Sequence, residues 1–109
     1  MRDPARDLQK LVALKRQKAE QRVLDLQTEL DAARGRLAEA VANLRASDNP
    51  DIDFTIRQQA LQQGRIDGLI AQVGAREGDV GQAEAALAEA REALKWVIYS
   101  EDRLDDLTR

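Results

Sequence analysis

The sequence contains no cysteine and no histidine among its 109 residues. Without cysteine it has no disulfide and no thiol nucleophile, and without either residue it lacks the usual ligands of zinc. Histidine is also the side chain that most often serves as a general base near neutral pH. No glycine-rich phosphate loop or nucleophile elbow takes the place of these groups. We therefore expect a non-enzymatic protein with no catalytic residues, no metal site and no cofactor.

Aromatic residues are equally scarce: the chain has one Phe, one Trp and one Tyr, whereas 34% of its residues are charged. A compact globule would bury more bulky side chains, so this composition indicates helices with large solvated surfaces. The net charge of −3 disfavours a nucleic-acid-binding protein. No apolar run approaches the roughly 20 residues of a membrane span, and MRDPARDLQK contains no signal-peptide core. A soluble cytoplasmic protein without membrane insertion is the expectation.

Only two prolines, Pro4 and Pro50, interrupt the chain. Asp3 precedes Pro4 as an N-cap precedes a first helical proline, and Pro50 lies in the polar cluster ASDNPDID. Asp51 or Asp53 is the expected cap of the next helix. These signals predict one domain over residues 1–109, with a first helix at about 4–46, a turn at about 47–52 and a second helix at about 53–107.

Mostly apolar residues recur in alternating steps of three and four along both predicted helices, which is the seam of a coiled coil. In the first helix the seam positions are Val23, Leu26, Leu30, Ala33, Leu37, Ala40 and Leu44, and toward the N-terminus Ala19, Arg16 and Val12. In the second helix they are Ile66, Leu69, Val73, Arg76, Val80, Ala83, Leu87, Ala90, Leu94, Val97, Glu101 and Leu104. Helices joined by a short turn fold back on each other to bury such seams. The predicted fold class is all-α, a two-helix antiparallel coiled-coil hairpin.

Five glycines fall within a short stretch of the second helix, at Gly64, Gly68, Gly74, Gly78 and Gly81. Each costs about 1 kcal/mol relative to alanine inside a helix. The segment is either a tolerated weak stretch or a region of flexibility or close backbone approach.

A cluster of basic residues occupies the early part of the first helix: Lys10, Lys15, Arg16, Lys18 and Arg22. In a hairpin this cluster lies beside the acidic later part of the second helix, which contains Glu84, Glu89 and Glu92. The opposite charges either set the orientation and register of the helix pair, or the basic cluster forms a patch for an acidic partner.

Two of the three aromatic residues, Trp96 and Tyr99, lie in the stretch EALKWVIYSEDRL. Counted outward from the turn, the second helix is longer by about a dozen residues, so residues 101–109 are expected to overhang the first helix. At about 100° per residue, Tyr99 points away from the seam, Trp96 lies more than about 90° from it, and Ile98 lies on a flank. Either a second copy or the N-terminal segment covers this face, or a partner protein does, with Trp96 and Tyr99 as anchors. We expect the partner.

The N-terminal stretch LQKLVALKRQKAEQRVLDL, the Ala/Leu/Glu seams, the single polar turn and the charged tail SEDRLDDL resemble one known group. This group is the small coiled-coil proteins of bacterial type III export, namely the flagellar FliJ family and its YscO-like virulence counterparts. The resemblance implies a cytoplasmic stalk, similar in shape to the central subunit of rotary ATPases and peripheral to a membrane export apparatus. It implies three partners: the hexameric export ATPase, the export gate protein and export chaperones. The alternative is a homodimeric coiled-coil scaffold with no export role.

The resemblance also implies where partners bind. The end that carries both termini would meet the ATPase ring. The turn end, with Ile52, Phe54 and Ile56, would meet the gate or a chaperone, although Phe54 could equally close the turn. The complete set of expected partner-binding residues is Trp96, Ile98, Tyr99, Leu104, Leu107, Lys10, Lys15, Lys18, Arg22 and Phe54.

Overall fold

The structure is a computed structural model that describes residues 3–47 and 55–108. The described residues form two α-helices. Helix α1 runs Pro4–Ala46 and helix α2 runs Ile56–Thr108, and the described residues contain no strand. The all-α helical hairpin predicted from the seams is therefore confirmed. Within these ranges, neither helix offers a stretch apolar and long enough to cross a bilayer.

The buried side chains of the described residues are predicted seam positions. The buried hydrophobic residues are Leu26, Leu30, Ala33, Ala40, Leu87 and Ala90. The other seam positions are half-buried, except Arg16, which is exposed. The buried stripe is narrow because a partner helix covers only one face of each helix. The hairpin therefore keeps most of its surface in contact with solvent.

Helix α1 begins with the cap that the sequence predicts. The Asp3 carboxylate accepts a hydrogen bond from the backbone N–H of Ala5, with Oδ1 and N 3.1 Å apart. Pro4 follows at the first helical position, where its missing N–H costs nothing. At the other end, the Ser47 hydroxyl donates to the carbonyl of Leu44 at 2.8 Å.

Helix α2 begins at Ile56, later than predicted, and Thr55 caps it. The Thr55 hydroxyl accepts from the backbone N–H of Gln58 at 3.3 Å, while the Gln58 side chain accepts from the Thr55 N–H at 3.1 Å. This reciprocal pair is a capping box. The expected caps, Asp51 and Asp53, lie outside the described residues, as does most of the predicted turn at 47–52.

Replacement of Thr55 by alanine should lower the free energy of unfolding by about 1 kcal/mol, because it removes the cap of α2. Urea denaturation followed by circular dichroism measures this loss. Thr28→Ala is the matched control, since the Thr28 hydroxyl only donates to the Leu24 carbonyl within α1, and alanine is the better helix former. Equal losses in the two variants would contradict a capping role for Thr55.

By packing, the chain divides into two compact units. Unit 1 comprises Met1–Glu29 and Glu84–Arg109, and unit 2 comprises Leu30–Ala83. Within unit 2, the Gln62 side chain donates to the backbone carbonyl of Ser47 at 3.1 Å. Gln62 is the seventh residue of α2. The first six residues of α2 therefore come before the residue that contacts the end of α1.

Within unit 1 the two helices run antiparallel, and the end of α2 lies alongside α1. The Gln9 side chain donates to the Thr108 hydroxyl at 2.9 Å, and Arg16 donates to Glu101 at 3.1 Å. The overhang predicted for the last residues of α2 is therefore wrong for the described residues 101–108. The prediction counted residues outward from the turn, and such a count does not determine the register of α1 against α2.

The five glycines of α2 are exposed, and none of them is required by packing or by backbone conformation. A Cβ added at any of them would meet no atom within 4 Å, and none has a positive φ. Of the alternatives that the sequence left open, close backbone approach is therefore not found at these glycines. These glycines therefore lower the stability of α2 relative to alanine, and no close contact at these positions offsets the loss.

Candidate partner-binding face

An outward row of side chains follows α2 near its C-terminus, and we call it the aromatic face: Trp96, Tyr99, Arg103 and Leu107. Their spacing of three or four residues places them on one side of the helix. Trp96 is 59% exposed, Tyr99 is 52% exposed and Leu107 is 79% exposed. The helical count thus predicted the outward direction of both aromatic rings correctly.

The side chains of the aromatic face order one another. The Trp96 and Tyr99 rings meet edge to face, with centroids 6.0 Å apart and planes at 87°. The Arg103 guanidinium lies 5.9 Å from the centroid of the Tyr99 ring. Edge-to-face pairs and cation–π contacts are both attractive. Tyr99 is therefore held between two neighbours even though half of it faces solvent.

An open depression of about 460 Å³ adjoins the aromatic face, and it is lined by Lys95, Trp96, Ile98, Tyr99 and Asp102. Ile98 is half-buried and adds apolar lining beside the two aromatic rings. The lysine and the aspartate supply one charge of each sign at the border. Such a depression can accept an apolar side chain of another protein.

A second depression, of about 200 Å³, lies in unit 1 where α1 and α2 meet, and we call it the interhelical groove. It is lined by Val12, Lys15, Trp96, Val97 and Ser100. Trp96 therefore borders both depressions. The structure also brings Lys15, which is distant in sequence, to the side of Trp96. Sequence analysis did not predict this neighbour, because it depends on the register of the two helices.

The remaining expected site residues lie in different places. Leu104 is a half-buried seam residue, whereas Lys10, Lys18 and Arg22 are exposed on α1. Lys18 lines a depression of about 420 Å³ that belongs to α1 alone. Phe54 lies outside the described residues. The structure thus groups Trp96 with Ile98 and Tyr99 in one depression and with Lys15 in the other, and it does not bring the other expected residues into either of them.

Arg16 is the only member of the basic cluster that forms an ion pair within the described residues. Its guanidinium lies 2.9 Å from Glu20 and 3.1 Å from Glu101. The hydrogen bond to Glu20, followed by the hydrogen bond to Glu101, raises the pKa of Arg16. A raised pKa stabilises the folded state below the unfolded pKa, so this contribution is present at neutral pH and lost only in strong alkali.

The sequence predicted that the basic cluster would lie beside Glu84, Glu89 and Glu92. Arg16 instead pairs with Glu20, on its own helix, and with Glu101, at a seam position. The described residues contain no ion pair for Lys10, Lys15, Lys18 or Arg22. The register of the two helices in unit 1 thus places Glu101, and not Glu84, Glu89 or Glu92, beside Arg16.

The Arg16 ion pairs should contribute a small, salt-sensitive stabilisation. Arg16→Gln is expected to lower the unfolding midpoint slightly at low ionic strength and not at all in about 1 M NaCl, where the Debye length is about 3 Å. Thermal denaturation at both salt concentrations measures the effect. Arg6→Gln is the control, because Arg6 is exposed and has no ion pair in the described part of the chain. If the decrease in the unfolding midpoint persists in high salt, it comes from packing of the methylene groups of Arg16 and not from its ion pairs.

Arg103 and Lys95 were not among the residues expected from the sequence. Arg103 follows Tyr99 by four residues, so helical spacing alone could have indicated the contact between them. Lys95 lines the depression beside Ile98, and nothing in its sequence context distinguishes it from other exposed lysines.

The fold and this face define an all-α helical hairpin with an exposed aromatic and basic surface. Comparison with known proteins does not assign the chain to a family, because no protein-family model, no curated protein and no solved structure matches it.

Proposed function

We propose that this chain is a non-enzymatic stalk or adaptor of a bacterial type III export apparatus. It binds the hexameric export ATPase through the aromatic face and contacts the export gate protein or export chaperones at the turn end. This role places it in the cytoplasm, at the periphery of the export apparatus. The observation that carries the binding role is the exposure of Trp96 and Tyr99 on a helix that is already ordered. The assignment to a type III export system rests on the resemblance of the N-terminal stretch and the seams to the FliJ and YscO-like families.

The chemistry of the aromatic face supports binding. Trp, Tyr and Arg are the residue types most enriched at interface hot spots, and Trp96, Tyr99 and Arg103 lie together on it. Their mutual contacts hold the rings in place before any partner arrives, so little side-chain entropy is lost on binding. Exposed aromatic surface of this kind is costly in water and stabilising once a partner covers it.

The turn end offers a separate apolar surface for the gate or a chaperone. Ile56 is 86% exposed, and Leu61 is also exposed. Both lie in the first part of α2, before Gln62 contacts the end of α1.

Direct binding to the export ATPase tests the proposal. The chain is immobilised, and the purified hexameric ATPase of a type III export system from the same organism is passed over it. We expect saturable capture of this ATPase and no capture of an unrelated hexameric ATPase. Failure to capture the export ATPase, or equal capture of both, would overturn the export role.

The alternative function is a homodimeric coiled-coil scaffold with no export role. The observation that favours it is a set of leucines near the start of α1, namely Leu8, Leu11 and Leu14, each about half exposed. A second copy could cover these leucines together with the aromatic face in a four-helix bundle. The oligomeric state of the purified chain separates the two functions.

A further inference from the structure

We propose that the interhelical groove of unit 1 receives an acidic amphipathic helix of the partner, with Lys15, Lys18 and Arg22 binding its carboxylates. The inference rests on the binding role proposed for Trp96, and it adds the chemical character of the partner. It follows from a difference between the two edges of the α1–α2 seam in unit 1.

One edge of the seam is closed by polar contacts. Gln9 donates to Thr108, Arg16 to Glu101, and Arg91 to Gln27, over distances of 2.9 to 3.1 Å. Each of these contacts joins α1 to α2. The polar groups on this edge therefore have partners within the chain, and the edge offers little to another molecule.

The other edge carries positive charge that forms no ion pair within the described residues. Lys15, Lys18 and Arg22 are exposed and follow one another by three and four residues, which places them on one face of α1. None of the three has an ion pair among the described residues. The α2 residues that line the groove beside Lys15 are Trp96, Val97 and Ser100, which are all uncharged. The charge on this edge is therefore available to a partner.

The shape and spacing of this edge fit a helix. Val12 and Val97 line the groove, and Trp96 borders it, so the apolar side of a third helix can pack there as in a coiled coil. From Lys15 to Arg22 the distance along the helix axis is about 10 Å, two helical turns. Carboxylates at positions i, i+3 and i+7 of an added helix repeat over the same length. Charge and apolar surface thus match a single helical partner.

The fluorescence of Trp96 reports binding in the groove, because Trp96 is the only tryptophan of the chain and borders the groove. Its fluorescence is titrated with three synthetic helical peptides that share one apolar face and carry Glu, Gln or Lys at the flanking positions. A fourth titration uses vesicles of phosphatidylcholine and phosphatidylglycerol. We expect a saturable blue shift with the Glu peptide only, weakened at least about 10-fold when the NaCl concentration is raised to about 1 M.

A charge-reversed variant, Lys15→Glu/Lys18→Glu/Arg22→Glu, should bind the Glu peptide at least about 10-fold more weakly. The matched control, Arg6→Glu/Arg36→Glu/Arg45→Glu, changes the net charge equally at other exposed positions of α1 and should bind as the wild type does. Circular dichroism checks that both variants stay folded. Three results would overturn the inference: no shift with the Glu peptide, equal binding of the Gln peptide, or a shift with vesicles in place of peptide.

Capture of the export ATPase is scored separately with the same two variants. Loss of capture in the Lys15/Lys18/Arg22 variant, with capture retained in the control, supports the groove as the ATPase contact. Capture that survives the reversal overturns the groove's role and leaves the export role intact. Binding of the Glu peptide by a chain that captures no ATPase supports the groove and overturns the export role.

Discussion

Trp96→Ala/Tyr99→Ala should weaken capture of the export ATPase by at least about 100-fold. Hot-spot aromatic side chains each contribute about 2 kcal/mol or more to binding, so the loss of both amounts to about 1000-fold if the two effects add and about 100-fold if they overlap in part. The fold should not suffer, because both side chains are more than half exposed and alanine is a strong helix former. Surface plasmon resonance measures the binding, and circular dichroism measures the helical content.

The control for this experiment is Leu24→Ala/Ile70→Ala, which removes two exposed apolar side chains outside the aromatic face. Its affinity should equal that of the wild type. If both double variants lose affinity to the same degree, the aromatic face has no special role. If neither loses affinity, the ATPase binds elsewhere on the chain.

The second large effect is a gain in stability. Replacement of Gly64, Gly68, Gly74, Gly78 and Gly81 by alanine should raise the free energy of unfolding by several kcal/mol, at about 1 kcal/mol for each site. The added methyl groups meet no atom within 4 Å, so no clash offsets the gain. Urea denaturation measures the stability, and amide hydrogen exchange of residues 64–81 should slow at the same time.

Reverse substitutions at neighbouring exposed positions, Ala71→Gly and Ala75→Gly, provide the control and should each cost about 1 kcal/mol. If the five alanines give no gain, this segment of α2 is not a continuous helix in solution. Capture of the ATPase by the five-alanine variant then distinguishes the two interpretations of the glycines, a tolerated weak segment and a flexible segment. Unchanged capture indicates a merely tolerated weak segment, and reduced capture indicates that binding uses its flexibility.

The heptad period was sufficient to predict the fold of this chain. Alternating steps of three and four residues identify the stripe that a helix must bury, and Leu26, Leu30 and Leu87 are buried as that stripe requires. The same angular count gave the outward direction of Trp96 and Tyr99 correctly. Both results depend only on the geometry of one helix at a time.

The failures concern the pairing of one helix with the other. The contact of Thr108 with Gln9 and the Arg16–Glu101 pair follow from the register of α1 against α2, which a count from the turn does not determine. The neighbourhood of Lys15 and Trp96 depends on the same register. The cap at Thr55 was missed for a local reason, because nearby aspartates offered equally good caps and only backbone geometry distinguishes them.

We expect a different protein, and not a second copy of this chain, to cover the aromatic face. The test is light scattering coupled to size-exclusion chromatography, over concentrations from micromolar to millimolar, with Trp96 emission recorded on the same samples. We expect a mass of 12.2 kDa throughout and the red-shifted emission of a solvated tryptophan. A species of twice that mass with blue-shifted emission, whose mass returns to that of the monomer in Trp96→Ala/Tyr99→Ala, would show that a second copy covers the face instead.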